Sequence, residues 1–81
     1  MTVKEIIDMR DEMEREMAQK GRELEDAISD LEETPINKRM LSKLRENVDR
    51  VNEALNAYTD AVDNLVDFEN QSFDIIILFD N

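Results

Sequence analysis

The sequence predicts an all-α fold: an antiparallel, coiled-coil-like two-helix hairpin that dimerises to a four-helix bundle and carries an extended apolar C-terminal segment. Three observations lead there. Two long stretches repeat apolar residues at spacings of three and four, the mark of a helix with one buried stripe. The only proline, Pro35, punctuates the chain between them. After Phe73-Asp74, the helical period gives way to a continuous apolar run, Ile75-Ile76-Ile77-Leu78-Phe79. Residues 1–72 then form the hairpin, with helix one over about 2–33, a turn at 34–37 and helix two over about 35–70. Residues 73–81 form an extended tail or strand.

Helix one opens on Thr2-Val3-Lys4-Glu5, a Ser/Thr-x-x-Glu capping box in which the hydroxyl and the Glu satisfy each other's backbone amides. Behind it Val3, Met17, Leu24 and Leu31 share one heptad position, and Ile6, Met13 and Ala27 share the other. Ile7 and Ile28 widen the stripe. Arg10 and Lys20 fall on the seam and Gly21 lies beside it, which makes the middle of this helix its weak part. Met9, Met13 and Met17 could form an adaptable docking surface, but their spacing fits an ordinary core.

The break lies at Glu33-Thr34-Pro35-Ile36-Asn37. Proline pushes the preceding residue out of the helical region and suits the first position of a new helix. Thr34 is therefore expected to cap helix two with Pro35 as its first residue, and Asn37 is the fallback cap. So short a connection makes the helices antiparallel neighbours.

Helix two has the clearest pattern. Leu41, Val48, Leu55 and Val62 hold one heptad position, and Leu44, Val51, Tyr58 and Leu65 hold the other. These eight are the expected helix-packing or self-association residues. Ala54, Ala61 and Phe68 add a flanking column, so the stripe is wide enough for more than one neighbour. Antiparallel pairing also sets the acids Glu23, Glu25, Asp26, Asp30, Glu32 and Glu33 beside the bases Lys38, Arg39, Lys43 and Arg45. With no Cys or His for disulfides or metal staples, so small a chain is expected to find its missing core by self-association.

Helix two is expected to end near Asn70-Gln71-Ser72. Its last turns bear Asp60, Asp63, Asp67 and Glu69, the wrong sign for the negative end of a helix dipole. The run Phe73-Asp74-Ile75-Ile76-Ile77-Leu78-Phe79 favours extended structure. It could cap its own bundle or pair across a dimer. The preferred reading is strand addition to a partner's sheet, with Phe73, Ile75, Ile77 and Phe79 on one face.

The layout of helix, Thr34-Pro35-Ile36-Asn37 turn and helix resembles the needle subunits of type III secretion. The general plan also resembles the small secreted helical hairpins with a Trp-x-Gly turn. This chain has no Trp, and its C-terminal segment departs from the needle pattern, so neither resemblance carries a function across.

Charge narrows the partners. The formal net charge is −11, and residues 59–81 contain six acids and no Lys or Arg. Such a surface repels nucleic acid and anionic lipid. It suits a basic protein surface or an apolar groove ringed by bases. The acidic surface is placed at Asp60, Asp63, Asp67 and Glu69. No run of about 18 apolar residues exists to span a membrane, and the N-terminus does not read as a secretion signal. The expected compartment is the cytoplasm, or a host cytoplasm for a viral gene.

Catalysis and metal binding find no support in the residue types. Carboxylates lie at solvated helix positions without His or Cys beside them, and no Ca²⁺ loop or Gly-rich phosphate loop is present. No catalytic residue, metal ligand or cofactor is expected. The expected function is a non-enzymatic protein–protein interaction module: a small acidic, self-associating hairpin acting as adaptor, assembly factor or inhibitor. Such proteins are commonly encoded by phages and mobile elements. Its partners would be itself, as a homodimer or higher oligomer, and a protein with a basic or apolar surface. The alternatives are an acidic DNA mimic that inhibits a nucleic-acid-binding protein, and a structural subunit of a filament or virion.

Overall fold

A computed structural model describes the backbone of residues 2–80 and the side chains of residues 2–72. The chain forms two helices, α1 (Val3–Glu33) and α2 (Leu41–Asp80), with a 3-10 turn at Lys38–Met40 leading into α2. They pack side by side as a hairpin of 65 × 16 × 14 Å. The capping box is formed. Thr2 Oγ1 accepts from the Glu5 amide at 3.2 Å, and the Thr2 amide donates to Glu5 Oε2 at 3.3 Å.

The connection differs from expectation. Thr34 ends α1 and does not begin α2. Its backbone is extended (φ −76°, ψ 121°), as the following proline requires. Its amide donates to the Leu31 carbonyl at 3.2 Å and its hydroxyl donates to the Asp30 carbonyl at 2.7 Å. With that hydroxyl committed to α1, the start of the second helix moves to Asn37. There Asn37 Oδ1 accepts from the Met40 amide at 3.0 Å. Pro35 and Ile36 stand outside both helices.

The C-terminal segment is also corrected. Its backbone is helical, because α2 continues without interruption to Asp80. Asn70-Gln71-Ser72 contains neither Gly nor Pro, so nothing there stops propagation. A strand would leave its backbone groups unpaired, whereas each further helical residue finds a carbonyl four residues back. The unexplained acids resolve with this. Asp60, Asp63, Asp67 and Glu69 lie in the interior of α2 and not at its end. The side chains of Phe73, Ile75, Ile77 and Phe79 fall outside the described residues. Alternate positions share a face in a strand but not in a helix, so sheet addition through them would require this stretch to leave α2.

Little of the described chain is deeply buried. Ala27, Ala61 and Leu65 form the enclosed core, with Asn47 as a buried polar residue. Around them Ile6, Met13, Met17, Leu24 and Leu31 of α1 are half-buried, as are Leu44, Val51, Ala54, Tyr58 and Phe68 of α2. The two heptad positions assigned to helix one are therefore its inner face, except at its first turn, where Val3 is 63% exposed. Of the three Met residues in that helix, Met13 and Met17 line the seam, while Met9 is 41% exposed.

Gly21 has a packing role. A Cβ at this position would stand 3.3 Å from Tyr58 Cε2 and 3.7 Å from Cδ2, so the missing side chain makes room for the ring. Lys20, also half-buried on the seam, pairs with Glu23 at 3.6 Å.

Candidate functional site

The eight residues expected to pack helix two divide between two faces. Leu44, Val51, Tyr58 and Leu65 point into the hairpin. Leu41, Val48 and Leu55 do not: they are 48%, 41% and 46% exposed, and Val62 is half-buried. The second inner column of α2 is instead Asn47, Ala54, Ala61 and Phe68. The cause is width. The apolar stripe of α2 is three columns broad, and a single neighbouring helix covers two. Ala54 lies beside Ala27 and Ala61 beside Met13, while the column Leu41, Val48 and Leu55 is left outside.

The outer column lies on a definable side of the hairpin. Arg10 Nη2 is 3.0 Å from both Glu14 Oε1 and Glu69 Oε1, so these two acids share one side. Ile7, Gly21 and Ile28 stand at multiples of seven from Glu14. Leu41, Val48, Leu55 and Val62 stand at multiples of seven from Glu69. That side therefore gathers Ile7 and Ile28 of α1, 52% and 38% exposed, with Leu41, Val48 and Leu55 of α2. The opposite side is marked by the Asp30–Arg50 ion pair and lined by Glu23, Asp26 and Glu53.

Register is fixed near the turn. Asn47 Nδ2 donates to Thr34 Oγ1 at 2.7 Å, and the Thr34 hydroxyl in turn donates a hydrogen bond to the Asp30 carbonyl. Asn47 is 5% exposed, and no buried side-chain nitrogen or oxygen in the described residues lacks a partner. A single polar side chain inside a helical seam ties it to one alignment. The sequence reading did not single out Asn47. Its signal was available as a polar residue seven before Ala54 and fourteen before Ala61.

None of the bases expected to pair with α1 near the turn, Lys38, Arg39, Lys43 and Arg45, forms an ion pair with it among the described residues. Among the described residues Asp30–Arg50 is the one ion pair that crosses between the helices near the turn, and Lys43 pairs within α2 to Glu46 at 3.9 Å. Asp60, Asp63 and Asp67 are exposed on α2, while Glu69 is held by Arg10.

No cluster of carboxylates suited to hold a metal ion occurs among the described residues, and the grooves between the helices are open to solvent. No described helix is long and apolar enough to cross a membrane. Compared with known proteins, the chain matches no family model, no curated protein and no solved structure.

Proposed function

We propose that this chain is a non-enzymatic protein–protein interaction module, a self-associating acidic hairpin that serves as an adaptor, assembly factor or inhibitor. The observation that carries this reading is the exposed column of Leu41, Val48 and Leu55 beside an inner seam in which, among the described apolar residues, only Ala27, Ala61 and Leu65 are fully enclosed. Exposed aliphatics set in a row on one face mark an interaction surface more often than an ordinary solvated one. The hairpin's own core is small for its length, so association would supply burial that a lone pair of helices lacks. Sedimentation equilibrium over a wide concentration range tests the proposal. A dimer or larger species at micromolar concentration is expected, and a folded monomer throughout overturns it.

A second reading draws on a different surface. Glu46, Asp49, Glu53, Asp60, Asp63 and Asp67 are exposed at helical spacing along the outer face of α2, and such a stripe suits a DNA mimic. Salt separates the two. Capture of a nucleic-acid-binding protein by the stripe should weaken steeply between about 50 and 200 mM salt. Apolar association should change little over that range.

A further inference from the structure

Resting on the self-association reading, we propose that the side bearing Ile28, Leu41, Val48, Leu55 and Val62 docks a second copy of this chain. The two turns lie at the same end, and α1 of each copy lies over α2 of the other.

Both the size and the layout of this side fit such an interface. Leu41 to Val62 spans about 32 Å of helix at 1.5 Å per residue. Two helices side by side are roughly 20 Å wide. A face of that size offers on the order of 600 Å² per copy, so the pair buries about 1,200 Å², the lower bound for a stable interface. The cross-hairpin contacts Gly21–Tyr58, Asp30–Arg50 and Thr34–Asn47 fix the levels of the two helices. They set Ile28 level with Val51 and Asn52, midway between Val48 and Leu55. An Ile28 laid over α2 of another copy at the same level therefore enters the gap between Val48 and Leu55, as a knob enters a hole.

Charge selects the orientation. Glu25 and Glu32 border the apolar side along α1, and Arg45 borders it along α2; all three are exposed. With the turns together, Glu32 of one copy lies about one helical turn or less from Arg45 of the other. With the turns at opposite ends, α1 lies over α1, and Glu25 meets Glu32 of the other copy. Like charges so placed select against that arrangement.

The chain has no Cys, so Asp8→Cys, at an exposed position of α1, provides one unique spin-label site. Asp8 lies about 30 Å along the hairpin from the centre of the proposed face. Turns at the same end place the two labels within about 30 Å of each other, and turns at opposite ends place them about 60 Å apart. The companion variant Val48→Lys with Leu55→Lys changes only exposed side chains, and circular dichroism checks that it stays helical. It should raise the dimer dissociation constant by at least about 100-fold, the loss expected from two aliphatic contacts replaced by charges. A wild-type chain that stays monomeric overturns self-association itself. A dimer unaffected by the double variant leaves self-association standing and overturns this face. A dimer weakened by the variant but with labels near 60 Å apart overturns the orientation.

Discussion

Replacing Asn47 by Ala removes the bond from its side-chain amide to Thr34 Oγ1, a 2.7 Å contact inside the seam. An intramolecular hydrogen bond of this kind is worth about 1 kcal/mol net. The single substitution will understate it, because Ala recovers up to about 0.7 kcal/mol of helix propensity relative to Asn. A double-mutant cycle with Thr34→Val isolates the pair, since Val keeps the branched shape and loses only the hydroxyl. For 81 residues, an unfolding entropy of about 2.1 cal/mol/K per residue gives roughly 170 cal/mol/K. A coupling of about 1 kcal/mol then appears as about 6 °C of non-additivity in Tm. Thermal melts of the four proteins by circular dichroism, at one fixed concentration, measure it. Additivity within about 0.3 kcal/mol, or about 2 °C, would show that the bond does not pin the turn.

Gly21→Ala should gain nearly the full helix-propensity benefit of about 1 kcal/mol in a Tyr58→Ala background. In the native background the new methyl meets the ring at 3.3 Å and the gain should shrink; equal gains in denaturant titrations of both backgrounds would remove the packing role assigned to this glycine. Leu65→Ala, at 7% exposure, should cost about 2–5 kcal/mol, while its neighbour Val66→Ala, at 48% exposure, should change stability by no more than about 0.5 kcal/mol. Comparable losses at the two sites would mean that the inner face has been misassigned.

Features specified by residues close in sequence were legible without a structure. The capping box at Thr2 and Glu5 and the break at Pro35 are of this kind, as are the inner positions of α1 and the column Leu44–Val51–Tyr58–Leu65. The outer role of Leu41, Val48 and Leu55 was not legible. A stripe three columns wide satisfies two different seams equally well, and only the partner helix decides between them. Hydrophobicity alone favoured the column of larger side chains, whereas the inner face of α1 packs on the column of Asn47, Ala54, Ala61 and Phe68. The role of Thr34 was ambiguous for a related reason. One hydroxyl can serve the helix behind it or the helix ahead of it, and Asp30 and Asn47 settle the choice from a distance. In the C-terminal segment the β-branched residues pointed to a strand. Propensity is a weak prior where no sheet exists to accept one, and a helix already under way continues.

The hairpin encloses only Ala27, Ala61 and Leu65 among its described apolar residues and leaves Ile28, Leu41, Val48 and Leu55 exposed along one outer edge. So small an enclosed core returns little free energy to the chain. Whatever covers the outer edge then adds its binding free energy to the folding free energy, by the linkage that governs any ligand selective for the native state. If a second copy covers that edge, the stability of the chain depends on its concentration as well as on its sequence. Copies without a cover would spend more time open and reach proteases sooner, so the amount of intact protein would follow the amount of whatever covers that edge.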